Sequence, residues 1–370
     1  MPLAVSPLLD RPGAVAGEGV DAGVAAHYGD PIREQRLLTE GLACVDLSHR
    51  GVVTIAGPDR LSWLHSMTTQ ALTGLAPRTS TETLVLSPHG HVEHALHVVD
   101  DGERVWATVE PGTAPELVGW LESMRFMLRV EVEDVSGAYA VVGEPISSES
   151  VEGEPIAWRD PWPGVVGAEP VNPRTGEAGR SAAYGPVDEH PGAARRWREL
   201  VVPRADLAAA VGDRPLAGLW AAEALRVAAW RPRLGFETDH RTIPHELDWL
   251  RTAVHLHKGC YRGQETIARV HNLGRPPRRL VFLHLDGSGH VLPPLGSEVF
   301  VGAAGAAGAA GAAGLGRAIG RLTSVARHHE LGPIGLAVVK RSVPVEARLV
   351  IEGGPGVGPV DVAQEPIVAP

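Results

Sequence analysis

Cysteine is scarce in this chain: two among 370 residues, Cys44 and Cys260. Two thiols exclude a disulfide framework, which suits a reducing compartment, and they exclude a complete four-thiolate iron–sulfur site within one chain. An excess of positive charge is missing too. The formal charge is −10, and no spread of exposed aromatics interleaved with Lys or Arg offsets it, so nucleic acid is not an expected partner. No long, strongly apolar run occurs. The uncharged stretch 301–316 is almost all glycine and alanine and too weakly hydrophobic to span a bilayer. Residues 1–26 lack a basic start followed by a compact apolar segment and read as a flexible tail rather than a signal peptide. These absences together lead to the expectation of a soluble, cytoplasmic protein with no membrane partner.

What is present is a globular composition, 44% hydrophobic and 21% charged, with 44 glycines and 31 prolines marking many turns. One stretch, HLHKGCYRGQETIARVHNLGR at 255–275, carries the densest chemistry. Cys260 stands between Gly259 and Gly263, just before an expected helix over Gln264 to His271 that closes at Asn272, with Gly274 as a left-handed cap and Pro276 and Pro277 preventing continuation. A thiol ahead of a helix N-terminus, flanked by Lys258 and Arg262, is favoured as thiolate. From His255 to His284 there are six Lys or Arg against one acid, Glu265. A basic strip on an acidic chain points either to an anionic ligand, with Lys258, Arg262 and Arg269 as its binding groups, or to a solvated positive face. His255, His257 and Cys260 are metal-ligand types, but without an independent fourth ligand they are not read as a metal site.

The segment KGCYRGQE, comprising Lys258, Gly259, Cys260, Tyr261, Arg262, Gly263, Gln264 and Glu265, resembles the signature of the YgfZ family. Members of that family are folate-binding proteins for assembly or repair of iron–sulfur enzymes, related in fold to the aminomethyltransferase (GcvT) of the glycine cleavage system. GLACVDLSHRGVVTIAGPDRLSWLHSMTT resembles the N-terminal region of the aminomethyltransferases, and TIPHE resembles a segment that lines their central cavity. Cys44, among Ala43, Val45 and Leu47, reads as core.

The remaining pattern supports an α+β fold with antiparallel sheets. Thr83 to Ser87 and Val92 to Val99 read as strands joined by a turn at 88–91, with Val92, His94, Leu96 and Val98 on one face; His94 is either a ligand contact or a hydrogen-bonded core histidine. The aminomethyltransferase hairpin GGxxDD supplies an aspartate for transfer chemistry, and the matching positions here are Gly90, His91, Val92, Glu93, His94 and Ala95, with no aspartate. Helices are expected at Tyr28 to Leu42, after Pro58, at Ala114 to Met124 and at Leu216 to Ala229, and a strand at Phe126 to Val132. The long helix ends where the relatives resemble RxEAG; Arg226 is retained, the acid is Ala228, and Trp230 offers either a stacking surface or packing.

The expected organisation is a tail at 1–26; a folate-binding region at 27–275 with a peripheral insertion at 144–190; a small C-terminal β-barrel at 276–352 with a flexible loop at 302–316; and a tail at 353–370. The resemblance implies tetrahydrofolate or a related folate as cofactor, contacted by Arg226, Trp230 and His94, with Cys260 as the reacting group and no stably bound metal. It implies iron–sulfur client enzymes or cluster-assembly proteins as partners. Two alternatives stand beside this reading: a tetrahydrofolate-dependent methyl or aminomethyl transferase, and a folate-binding module without chemistry.

Overall fold

The computed structural model describes residues 5–146, 154–164, 190–288, 291–302, 316–353 and 358–370. Six α-helices occur among them: α1 (Pro31–Thr39), α2 (Arg60–Met67), α3 (Ala114–Ser123), α4 (Leu207–Val211), α5 (Leu219–Ala228) and α6 (Gln264–Leu273). The first five-stranded sheet is antiparallel, in the order Ser80–Leu86, Val92–Asp100, Arg104–Val109, Gly51–Ala56, Glu131–Asp134. Period-two alternation divides its residues between two faces. Ile55, Leu96, Val98 and Val105 pack with Trp63 and Leu64 of α2 and Leu117 and Leu121 of α3. Ala95, His97 and Thr108 face the other way, toward a central cavity.

The second five-stranded sheet runs Ile156–Arg159, Trp197–Pro203, Tyr139–Pro145, Cys44–Asp46, Leu216–Ala217, and its last pair is parallel. The third unit is a closed six-stranded barrel: Arg278–Leu285, Gly332–Lys340, Gly320–His328, Glu298–Val301, Leu349–Ile351 and Val360–Pro366. Closure leaves this sheet without a free edge.

Several expectations need correction. Residues 5–26 are not a tail: Leu8 is buried beside Cys44 and Leu200, Val15–Ala16 pairs with Ala25–His27, and Asp21 reaches the central cavity. Two apolar anchors, Leu8 and Val24, suffice to tie down a segment otherwise rich in Gly and Ala. The described part of the 144–190 insertion is not peripheral, since Ile156–Arg159 is a sheet strand and Trp158 and Trp162 are fully buried. The 353–370 segment supplies the sixth barrel strand and buries Ile367 and Val368. Phe126 to Leu128 form an exposed turn, with Phe126 at φ 47°, and the strand begins only at Glu131. The long apolar helix begins at Leu219, because Leu216–Ala217 pairs with Cys44 and Val45 instead. Gly274 ends α6 in extended rather than left-handed backbone. Most of the 302–316 loop lies outside the described residues.

Candidate functional site

The central cavity lies between the two sheets, α5 and the segment after it. About 80 Å³ is open to the centres of water-sized molecules, room for a few waters as it stands. Five guanidinium groups (Arg50, Arg195, Arg226, Arg231, Arg233) and five carboxylates (Glu82, Glu110, Asp160, Glu199, Glu223) line it, so its wall is neutral when the histidines are neutral. Each of these groups is paired. Arg50 bridges Glu110 at 2.6 Å and also bonds Glu199. Arg233 reaches Glu110 at 2.9 Å and Asp21 at 2.6 Å. Arg231 reaches Glu82 at 2.9 Å and Asp160, which Arg195 also holds at 2.9 Å.

Burial alone would raise the Glu199 carboxyl, but Arg50 and His97 outweigh it and hold the group well below the ordinary carboxylate range. Glu110, between Arg233 and Arg50, is lowered against the same burial. His97 Nδ1 lies 3.0 Å from Glu199, and its ring stacks on Trp158 with centroids 3.7 Å apart and planes 4° from parallel. The indole is fixed by donating to the Thr81 carbonyl at 2.7 Å. A second, wider cleft of about 370 Å³ adjoins through Glu110 and Leu234 and is bordered by Phe236, Leu295 and Arg321.

The thiol loop is a separate feature. Cys260 is exposed. Gly259 (φ 97°) and Gly263 (φ 80°) both take left-handed backbone, which frames the thiol without side-chain cover. Gly263 starts α6 where the 87–91 turn docks: a Cβ there would lie 2.6 Å from the Ser87 carbonyl oxygen and 3.0 Å from Gly90 Cα. Gly90 packs back in turn, its missing Cβ facing Thr266.

Two of the three residues expected to form the basic strip, Lys258 and Arg262, are engaged with the protein itself. Lys258 Nζ donates to the carbonyls of His65 and Thr68 at the end of α2 and lies 4.9 Å from the Tyr261 ring centre. Burial lowers its pKa to about 8. Arg262 pairs with Glu93 at 3.0 Å and covers the Trp120 ring. Gln264 Oε1 accepts from the Tyr261 N–H at 3.3 Å, Tyr261 is buried, and Glu265 and Arg269 are exposed on α6.

Of the expected folate contacts, only Arg226 lines the cavity, and it also ties α5 to the barrel through Ser324 Oγ at 2.6 Å. His94 is buried on the opposite face of its strand from Ala95 and His97, near Glu116 of α3, with no hydrogen-bond partner at Nδ1. Trp230 is buried against His190 and Phe282 and does not border the cavity. It closes α5 at φ 60°: the Trp230 N–H reaches the Val227 carbonyl and the Arg231 N–H the Arg226 carbonyl, a Schellman termination with tryptophan where glycine is usual.

Sequence reasoning missed Arg50, His97, Trp158, Glu199, Arg231, Arg233 and Trp249, all in the cavity wall. A usable signal was His97 itself, which alternates with His94 on the same strand. Among the described residues no group of three His, Cys, Asp or Glu is placed to hold a metal ion, and no helix is long and apolar enough to cross a membrane.

Residues 8–143 match the GCVT N-terminal domain family. The chain is 24% identical over 350 residues to a putative chloroplastic transferase of Arabidopsis thaliana, covering 90% of this chain and 73% of that one. It is 23% identical over 350 residues to an aminomethyltransferase of Bacillus subtilis, covering 90% of each. The glycine cleavage system aminomethyltransferase T of Bartonella henselae superposes with a TM-score of 0.72 at 16% identity, over 98% of this chain and 96% of that one.

Proposed function

Starting from a chain with the aminomethyltransferase fold and a GCVT N-terminal domain at residues 8–143, we propose that it binds a reduced folate in the central cavity. We read its task as a cytoplasmic accessory to the assembly or repair of iron–sulfur enzymes, with Cys260 as the working thiol. The wall suits a planar heterocycle that both gives and takes hydrogen bonds. Glu199 and Glu110 can accept from an amino-substituted ring edge, His97 and Trp158 already stack on each other, and equal numbers of opposite charges leave no net attraction for an anion. Entry of a ring requires it to displace waters and to take over one side of the Arg50–Glu199 pairing. Bound folate would supply a one-carbon carrier; this chain's residues hold and orient it.

The observation that carries the accessory reading is Ala95. At the end of the hairpin motif in which the aminomethyltransferases have their paired aspartates, this chain presents a methyl group to the cavity. A methyl group gives no electrostatic help to a developing cation. Cys260 meanwhile stands exposed between two glycines, open to a protein partner or a cluster in transit.

The names of the relatives favour a second reading, a tetrahydrofolate-dependent one-carbon transferase. Replacing Cys260 by Ser in cells lacking the native copy separates the two. Loss of iron–sulfur enzyme activities at normal protein abundance and unchanged tetrahydrofolate affinity supports the accessory role. Unchanged activities, with purified protein transferring a one-carbon unit to tetrahydrofolate, establish the transferase instead. Absence of tetrahydrofolate binding to the wild-type protein overturns both.

A further inference from the structure

Two hydrogen-bond donors in the cavity wall have no partner. Arg231 Nη1 and Trp249 Nε1 are both buried atoms with no acceptor, on residues only 4% and 1% exposed. Leaving such donors dry and unpaired is costly, so a site that keeps two of them is shaped for an acceptor that arrives from outside. Neither is free to turn away. Arg231 is pinned through Nη2 to Glu82 at 2.9 Å and through its stack over the Trp162 ring at 4.9 Å. Trp249 has its backbone N–H on the Pro244 carbonyl at 3.1 Å, and its side chain is packed in the core at 1% exposure.

Four non-glycine residues among those described have positive φ, and two of them, Trp230 (60°) and Asp248 (57°), immediately precede these two donors. Both positions end helices, Trp230 as the Schellman residue of α5 and Asp248 as the left-handed cap of the 3-10 turn Pro244–Leu247, so the backbone from which Arg231 and Trp249 leave is fixed by those terminations.

We propose that Arg231 and Trp249 form an oxygen-acceptor subsite that takes a ring carbonyl of the bound heterocycle and selects an oxo-substituted ring over its amino-substituted counterpart. An amino group in that place would set donor against donor. This inference rests on the folate reading and sharpens it, because it names the ring edge the cavity reads. His49 Nδ1 is the other unpartnered polar atom in the wall, and the Nε2 of the same ring lies 3.1 Å from the Asp21 carboxylate.

The test compares tetrahydrofolate with its 4-amino analogue by isothermal titration against the full chain, wild type and Trp249→Phe. The phenylalanine keeps an aromatic ring and removes the N–H. The wild type is expected to prefer the oxo compound by about tenfold or more, and the variant to lose about five- to tenfold in affinity for the oxo compound with little change for the amino one. Equal wild-type affinities for the two ligands overturn the subsite even if the variant fails to fold. So does a variant that weakens both ligands alike, which marks Trp249 as packing and the orphan donors as water-bound. Binding of neither ligand sinks the folate reading, and the subsite with it.

Discussion

The two glycines that frame Cys260 have different physical jobs, and alanine at each should separate them. At Gly259 a Cβ meets nothing within 4 Å, so Gly259→Ala carries only the penalty of left-handed backbone at φ 97°, about 1–2 kcal/mol. At Gly263 the same backbone penalty applies, and the new methyl would also sit 2.6 Å from the Ser87 carbonyl oxygen and 3.0 Å from Gly90 Cα. Those neighbours are backbone and cannot swing aside, so either the turn at 87–91 moves off the start of α6 or the helix shifts. Overpacking of this kind adds about 1–3 kcal/mol. Gly263→Ala should therefore lose about 2–5 kcal/mol, clearly more than Gly259→Ala. Urea unfolding followed by tryptophan fluorescence reads the difference as a shift in midpoint. Displacement of the turn should also change the alkylation rate of Cys260. Equal midpoints for the two variants, or a smaller loss at Gly263, would refute the idea that the hairpin is seated on the glycine.

Under native conditions a thiol reagent should label Cys260 quickly and reach Cys44 only on unfolding, since Cys44 is buried and burial pushes its thiol up to about 11; two thiols reacting at similar rates would contradict the fold around residues 44–46. Burial, with a smaller contribution from His271, lowers His245 to about 3, so below its ordinary range near 6.5 the unfolded chain takes a proton that the native state refuses. Stability should fall by about 2 kcal/mol between pH 7 and pH 5 on this account, and His245→Gln should flatten that slope; an unchanged slope in urea titrations across the range removes the assignment. Deleting residues 359–370 should open the barrel and expose the sites of Ile367 and Val368, a loss of about 3–6 kcal/mol from those side chains alone, seen as a fall in melting temperature. A truncated chain that melts with the intact one would restore the reading of this segment as a tail.

The parts of the fold that were legible in the sequence are those specified by short-range pattern. The hairpin at Ser80–Leu86 and Val92–Asp100 followed from alternation around a Gly turn, and α6 from the glycine before it. Five of the six barrel strands could be read in the same way, but Val360–Pro366, with Asp361, Gln364 and Glu365 among its seven residues, has too little apolar character to announce a strand. The cavity was not legible for a different reason. Its charges come singly from distant segments, and Glu199 sits in a strand buried on both faces, where alternation gives no sign of function. The face of Val92–Asp100 was misassigned for function because period two says which residues lie together, and only packing against α3 decides which group turns inward. The basic strip drew attention because its charges are adjacent in sequence, yet adjacency says nothing about pairing: Lys258 and Arg262 are spent on neighbouring elements.

The ion pairs of the cavity also bear on how the chain reaches its native state. Asp21 meets Arg233 across 212 residues of sequence, and Arg50 meets Glu199 across 149. Such contacts form only after long loops close, and a chain whose central cavity depends on them should fold slowly and late at that point. Until then several arginines and glutamates remain exposed to solvent, each satisfied by water. A ligand that binds only the assembled wall would therefore act as a clamp on the last step, slowing unfolding in proportion to its free concentration and joining the three β units into one cooperative transition.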